Sequence, residues 1–192
     1  QFILKNKEHL SIGITIDGTE MKHDLNRVYK ASGRGSYKDV VRNIPLWLSQ
    51  FPDASTKVTI SSADIPYIKE SVLHLYALGI HEVNINCVFE DVWKAGDDRL
   101  FEEQLLMLAD AIIDNGYYRD YSCSFFGEHL GKPLDCKLQN QNWCGAGMML
   151  AVDAMGNFYP CTRFAQYSLC NKKAWIIGNI HDGIDKNKLR PF

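Results

Sequence analysis

The sequence contains no apolar stretch of the roughly 18–20 residues that a membrane-spanning helix needs. It also lacks an excess of either charge, with 21 lysines and arginines against 23 aspartates and glutamates. This balance offers no basic surface of the kind typical of nucleic-acid-binding proteins. The first residues show no cleavable apolar signal segment. We therefore expect a cytoplasmic protein that binds neither a membrane nor nucleic acid.

An initial methionine is also missing, because the sequence begins at Gln1 and ends at Phe192. Six cysteines are present, and five of them follow residue 122. Such an uneven distribution is expected of an internal piece cut from a longer protein.

Strand and helix patterns alternate from about Ser11 to Gly116. Apolar residues at every second position predict strands, and apolar residues three or four apart predict the helices that follow them. The first of these helices contains Pro45, which should kink it or shift its start. Alternation of this kind implies βαβ units and a parallel sheet, as in half a barrel or half a doubly wound sheet. The predicted strands are residues 11–17, 57–61 and 83–89.

One face of each predicted strand carries small or polar side chains, whereas parallel strands are commonly apolar on both faces. In a barrel, one face of every strand points inward, so a polar inner face predicts a ligand-holding lumen. The alternative is that these residues lie at strand ends or on a sheet edge. The residues concerned are Gly13, Thr15 and Asp17, then Lys57, Thr59 and Ser61, then Asn84, Asn86 and Val88.

The region after Gly116 is aromatic, polar and cysteine-bearing, and residues 148–160 predict a β-hairpin with a glycine-containing turn. Cys144 and Cys161 bracket this hairpin, which would bring two thiolates together. Thiolates favour zinc or an iron–sulfur cluster, and Cys170 is a third candidate ligand. No convincing fourth ligand is present, so metal binding and free thiols both remain open. Cys87 lies on a predicted strand among apolar neighbours and is expected to be a buried core thiol. Cys123 and Cys136 are expected to be free thiols.

Two groups of residues occur together in an order that is specific to one family. The first group lies between residues 14 and 42, and the second surrounds the predicted hairpin. In this second group, eleven residues separate Cys144 from Gly156 and four separate Gly156 from Cys161. With these residues the sequence resembles radical SAM enzymes that carry a SPASM auxiliary-cluster domain, namely anaerobic sulfatase-maturating enzymes and related peptide maturases. The residues are Ile14–Thr19, His23-Asp24, Arg27, Gly33–Tyr37 and Val40–Arg42 in the first group, and Cys144, Gly156, Tyr159–Cys161 and Ile177–Ile180 in the second.

The resemblance implies an α/β fold in two incomplete domains. Residues 1–116 would form the C-terminal half of a partial (βα)6, TIM-like barrel. Residues 117–192 would form a linker and the start of a β-hairpin-containing, cysteine-rich SPASM region. The family's C-x3-C-x2-C loop, which holds the SAM-reducing cluster, would lie upstream of Gln1.

The same resemblance implies S-adenosylmethionine (SAM) and 4Fe-4S clusters as cofactors. Thr15, Arg42 and Val88 match positions that contact SAM, and a guanidinium can bind a carboxylate through two hydrogen bonds. Cys144 and Cys161 match ligands of an auxiliary cluster, and Cys170 is a further candidate. The implied partners are a peptide or protein substrate and an electron donor such as flavodoxin or ferredoxin.

One position departs from the sulfatase-maturase pattern. That family places a catalytic aspartate directly after the second cysteine, where this sequence has Thr162, which cannot act as a carboxylate base. Another peptide-modifying branch is therefore favoured, and the chain by itself is expected to be inactive because it lacks the catalytic-cluster ligands. The alternatives are a non-enzymatic binding module with zinc on Cys144, Cys161 and Cys170, and an α/β scaffold with all thiols reduced.

Overall fold

The computed structural model describes residues 2–127, 136, 145–166 and 173–191. The chain divides into two compact units, Gln1–Gly131 and Lys132–Phe192. The first unit is α/β, and the described part of the second contains four short antiparallel strands and one short α-helix. No helix among the described residues combines the length and the apolar character that spanning a membrane requires.

The first unit contains a four-stranded sheet in which neighbouring strands are parallel and the strand order β1-β2-β3-β4 follows the chain. This confirms the predicted parallel α/β arrangement. The fourth strand was not predicted, because two residues are too short to show an alternating pattern. It lies beyond Gly116, and the domain boundary there stays a prediction. The strands are β1 (Ile14–Thr15), β2 (Thr56–Ile60), β3 (Glu82–Cys87) and β4 (Ser122–Cys123).

Helices connect the strands of the first unit. The single helix predicted before β2 is two short helices, α3 (Tyr37–Val41) and α4 (Ile44–Gln50). Pro45 lies in the first turn of α4, where its missing N–H costs nothing. The helices are α1 (Phe2–Asn6), α2 (Glu20–Asp24), α3 (Tyr37–Val41), α4 (Ile44–Gln50), α5 (Ile68–Ala77) and α6 (Asp97–Asp114).

One face of the sheet forms the core of the first unit. Val58, Ile60 and Val83 are fully buried on this face, and burying each such side chain contributes about 1.5–3 kcal/mol. Helices α5 and α6 supply the other side of the core. The opposite, polar face is more open, with Lys57 and Asn86 exposed. The fully buried apolar residues of α5 and α6 are Ile68, Val72, Leu75 and Leu108.

The second unit contains an antiparallel sheet of order β5-β6-β7-β8. In the turn between β5 and β6, the Asp153 carboxylate accepts hydrogen bonds from the Tyr159 hydroxyl at 2.6 Å and the Asn157 backbone N–H at 2.9 Å. These donors lower the pKa of Asp153 to about 2, with Tyr159 the largest contributor. The elements are β5 (Ala151–Val152), β6 (Asn157–Tyr159), β7 (Gly178–Asn179), β8 (Gly183–Ile184) and α7 (Lys186–Leu189).

Gly18 provides a test of packing in the first unit. Its φ is +130°, and a Cβ added there would lie 2.2 Å from Ser71 Oγ and 2.8 Å from Ser71 Cα on α5. We expect Gly18→Ala to lower the free energy of unfolding by about 3 kcal/mol, because backbone strain and a steric clash add. Urea unfolding measures the change.

Gly13→Ala is the matched control. A Cβ added at Gly13 meets no atom within 4 Å, so its effect should stay within about 0.5 kcal/mol. Equal unfolding midpoints for the two variants would contradict the close approach of Gly18 to α5.

Candidate functional site

Thr15 and Arg42, two residues predicted to contact SAM, line the same cavity of about 660 Å³ in the first unit. This volume lies in the range typical of small-molecule sites. The lining combines a hydroxyl, a guanidinium, a carboxylate, an amide and aromatic rings. The other lining residues are Ile14, Tyr29, Asp39, Val40, Asn43 and Trp47.

Strand pairing fixes the position of Thr15. It pairs with Lys57 on β2, which in turn pairs with Asn84 on β3. These three residues therefore share one row across the sheet, on its polar face. Thr15 is the last residue of β1, so its hydroxyl stands where the strand gives way to the following loop.

Arg42 lies at the break between α3 and α4. Its side chain is 76% exposed, and its Nη2 is 3.7 Å from Asp39 Oδ1. Nearby, the Trp47 indole N–H donates to the Ile12 carbonyl at 2.6 Å and fixes α4 against the segment that leads into β1. Most of the Arg42 guanidinium thus remains free to meet a ligand.

A hairpin of residues 28–35, which we call the rim hairpin, borders the cavity, and Val28 and Gly35 form a β-bridge at its base. The Tyr29 hydroxyl and Arg34 Nη2 both donate to Asp39 Oδ2, at 2.9 Å and 2.7 Å. The Arg34 bond, followed by that from Tyr29, lowers the pKa of Asp39. Asp39 is therefore ionised at neutral pH and ties the rim hairpin to α3.

Beneath the cavity, the loop of residues 16–27 is held by the Asp17 carboxylate, which is only 2% exposed. It accepts hydrogen bonds from Arg27 Nε and, at 2.9 Å, from the Thr59 backbone N–H of β2. A buried carboxylate must be paired and hydrogen-bonded to be tolerated, and both conditions are met here. Asp17 therefore attaches the loop to the sheet immediately after Thr15.

His23 links the same loop to the start of α3. Its Nδ1 accepts the Asp17 backbone N–H at 3.1 Å, so the neutral ring carries its proton on Nε2 and donates to Ser36 Oγ at 3.1 Å. The Ser36 hydroxyl donates onward to the Arg27 carbonyl at 3.0 Å. Burial, which outweighs attraction to Asp17 and Asp24, lowers the pKa of His23.

Lys22 and Asp64 form a second buried link that the sequence reasoning missed. Lys22 Nζ donates to the Thr59 carbonyl at 2.6 Å and lies 3.2 Å from Asp64 Oδ1, with both side chains almost fully buried. Asp64 also accepts from the Ser61 N–H and hydroxyl, at 2.8 Å and 2.6 Å. The Ser61-x-x-Asp64 spacing, a capping-box pattern, was the sequence signal for Asp64; Lys22 gave none.

Val88, the third predicted SAM contact, is not among the residues that line the cavity of Thr15 and Arg42. It follows β3, its N–H donates to the Ile60 carbonyl at 2.9 Å, and its own carbonyl accepts from Trp93 Nε1 at 3.0 Å. The structure thus brings two of the three predicted contacts together and places Val88 at the end of β3.

Among the predicted cluster ligands, Cys161 is buried at the end of the hairpin, whereas Cys144 and Cys170 lie outside the described residues. The Gly147 N–H donates to the Pro160 carbonyl at 2.8 Å, which brings the chain at Gly147 next to Cys161. Thr162 is exposed. Within the described ranges, no group of three or more His, Cys, Asp or Glu side chains could hold a metal ion.

The remaining cysteines differ in burial. Cys123 on β4 is buried, and this burial raises its pKa to about 11. The prediction that Cys87 is a buried core thiol is wrong in part, because this last residue of β3 is partly exposed. Its remaining burial still raises its pKa. Cys136 is exposed. Within the part of the chain that the structure describes, none of the three forms a disulfide.

The lowered pKa of His23 predicts the direction of a pH effect on stability. Below about pH 6.5 the unfolded histidine takes up a proton that the native ring resists, so the free energy of unfolding should fall as the pH falls from 7.5 to 5. His74, whose pKa burial also lowers, contributes with the same sign. Melting temperatures across this range measure the effect.

His23→Gln and His74→Gln should each flatten this pH dependence relative to the unaltered protein. His181→Gln, at an exposed position in the second unit, is the control and should leave the pH dependence unchanged. If neither His23→Gln nor His74→Gln alters the slope of melting temperature against pH, the assignment of neutral rings to these histidines is contradicted.

Comparison with known proteins shows similarity of structure rather than of sequence. No family model matches the sequence, and no curated protein is significantly similar to it. Among solved structures, the chain is similar to anSMEcpe, an anaerobic sulfatase-maturating enzyme of the radical SAM/SPASM class. The structure of native anSMEcpe with bound AdoMet and Cp18Cys peptide matches 98% of this chain and 54% of its own. The TM-score is 0.62 and the sequence identity is 19%.

Two further structures of anSMEcpe give the same result. Native anSMEcpe with bound AdoMet matches 100% of this chain and 53% of its own, at a TM-score of 0.63 and 20% identity. The hexahistidine-tagged protein with bound AdoMet matches 94% and 49%, at 0.61 and 20% identity. The chain thus spans about half the length of these structures, and over that length it has the fold of a radical SAM enzyme.

Proposed function

We propose that the chain is part of a radical SAM/SPASM maturase, which uses SAM and 4Fe-4S clusters to modify a peptide or protein substrate. The observation that carries this proposal is the cavity shared by Thr15 and Arg42, on a fold found in a protein solved with AdoMet and a peptide. The proposal joins a family resemblance in sequence to a likeness in fold.

The donors and acceptors of the cavity fit SAM. Arg42 would bind the methionine carboxylate, which a guanidinium can clamp through paired hydrogen bonds. Thr15 would hydrogen-bond the same portion of the ligand from the end of β1. Val88 would contact the adenine side from the end of β3. The loop that Asp17 ties to β2 would hold Thr15 in place throughout.

The polar face of the sheet would line the lumen of a partial (βα)6 barrel, of which residues 1–116 supply the C-terminal half. The row of Thr15, Lys57 and Asn84 supports this assignment, because the other face is filled by the core. A catalytic 4Fe-4S cluster and SAM would supply the radical chemistry for hydrogen abstraction from a substrate. The residues of this chain would bind SAM and orient it.

Residues 117–192 would form a linker and the start of a SPASM domain in which Cys144 and Cys161 ligate an auxiliary cluster, with Cys170 as a further candidate ligand. The hydrogen bond from the Gly147 N–H to the Pro160 carbonyl supports this pairing, because it brings the chain three residues after Cys144 next to Cys161. Thr162 stands in place of the catalytic aspartate, which favours a peptide-modifying reaction other than sulfatase maturation. The protein would work in the cytoplasm with flavodoxin or ferredoxin as electron donor.

Calorimetric titration of the protein with SAM tests the cavity assignment. Removing a charged hydrogen-bonding partner costs about 1.5–3 kcal/mol, so Arg42→Ala should weaken SAM binding by about tenfold or more. Thr15→Val should weaken it less. Arg99→Ala, an exposed arginine on α6, is the control and should bind SAM as the unaltered protein does. Equal affinities of all four proteins would overturn the assignment.

Anaerobic reconstitution with iron and sulfide tests the cluster assignment. Cys161→Ala should lower the bound iron and sulfide and the visible absorbance of the cluster, whereas Cys87→Ala should not. Zinc bound in place of iron would instead favour the non-enzymatic zinc module on Cys144, Cys161 and Cys170.

No C-x3-C-x2-C occurs in the sequence, so this chain alone should not cleave SAM to 5′-deoxyadenosine. Cleavage would contradict its expected inactivity.

A further inference from the structure

Two arginines and one carboxylate meet at the cavity rim, and the carboxylate is unequally shared. Asp39 Oδ2 accepts Arg34 Nη2 at 2.7 Å, a charge-assisted hydrogen bond. Its Oδ1 is 3.7 Å from Arg42 Nη2, too far for a hydrogen bond. The charge of Asp39 is therefore mainly balanced by Arg34, and Arg42 is the surplus cation.

The rim hairpin holds Arg34 on Asp39. The guanidinium lies over the ring of Tyr29, with its carbon 4.7 Å from the ring centroid. The Tyr29 N–H donates to the Arg34 carbonyl at 2.8 Å, and the Tyr29 hydroxyl donates to the same Asp39 oxygen at 2.9 Å. Stacking and hydrogen bonds together favour the Arg34–Asp39 pair over an Arg42–Asp39 pair.

We propose that Arg34 is a positioning residue that occupies Asp39 and so keeps Arg42 free to bind the carboxylate of the ligand in the cavity. The inference rests on the proposed function, because it assumes that Arg42 meets the carboxylate of SAM. Arg34 itself does not line the cavity; it acts through Asp39.

The consequence of losing Arg34 follows from Coulomb attraction. Asp39 and Arg42 are three residues apart at the end of α3, a spacing at which opposite charges attract. Without Arg34, the Asp39 carboxylate would draw Arg42 into a direct pair and would also repel an incoming carboxylate. Both effects weaken binding of an anionic group, and neither weakens binding of a ligand that lacks one.

Titration of the full chain with SAM and with decarboxylated SAM tests this role. Arg34→Ala should weaken SAM binding about two- to fivefold, the range of an exposed ion pair, and the loss should shrink as salt is added. Its affinity for decarboxylated SAM, which carries only positive charges, should not fall. Arg34→Lys should retain part of the effect, because it keeps the charge but not the planar fork.

The double variant Arg34→Ala/Asp39→Asn separates this role from a structural one. Removing the Asp39 charge should restore SAM affinity to that of the unaltered protein or above, although both side chains are altered. Arg119→Ala is the matched control, since Arg119 also lies over a tyrosine, Tyr118, at 5.6 Å, and does not line the cavity. It should bind both ligands normally.

The outcomes distinguish the two proposals. If SAM does not bind, or if Arg42→Ala binds it normally, the proposed function fails and this inference fails with it. If Arg42→Ala weakens SAM binding but Arg34→Ala does not, only the role of Arg34 is overturned. Equal losses for SAM and decarboxylated SAM, or a double variant as weak as Arg34→Ala, would also overturn it.

Discussion

The structure of the first unit depends on how it tolerates the buried charge of Asp17. The carboxylate is nearly inaccessible, yet it meets the guanidinium of Arg27 and the backbone N–H of Thr59. The same loop buries Lys22 against Asp64, and breaking one partner of such a buried pair commonly costs about 3–5 kcal/mol. These contacts fix the path of residues 16–27, and that path determines where Thr15 and the rim hairpin lie.

The charges around the cavity thus fall into two sets with different roles. The buried set is paired within the protein and serves structure, because a desolvated charge leaves little freedom to exchange partners. The set at the rim, formed by Arg34, Asp39 and Arg42, is exposed to solvent and unequally paired. In an exposed set of this kind, one guanidinium can lack a close carboxylate partner at little cost, because solvent screens its charge. The fold therefore separates the residues that hold the site from those that would bind.

The sequence predicted the parallel α/β arrangement because long apolar stripes on α5 and α6 and alternation in β2 and β3 are strong, local signals. It did not predict β4, which is two residues long and gains its place from pairing with β3. For the site, motif resemblance indicated Thr15 and Arg42, which share a cavity. Side-chain pairing across 40 or so residues, as between Lys22 and Asp64, leaves no local pattern, so it could not be predicted.

Thr59 shows what the buried charges accomplish for the sheet. β1 pairs with β2 only at Thr56 and Lys57, and beyond them the backbone of β2 would present an open edge. Instead, the Thr59 N–H meets a carboxylate from Asp17 and its carbonyl meets the ammonium of Lys22. Two side chains of opposite charge thus replace a third pair of residues between β1 and β2. The carboxylate accepts from the N–H, and the ammonium donates to the carbonyl. At this position the edge of β2 offers neither its N–H nor its carbonyl to a foreign strand, although the chain leaves the sheet early.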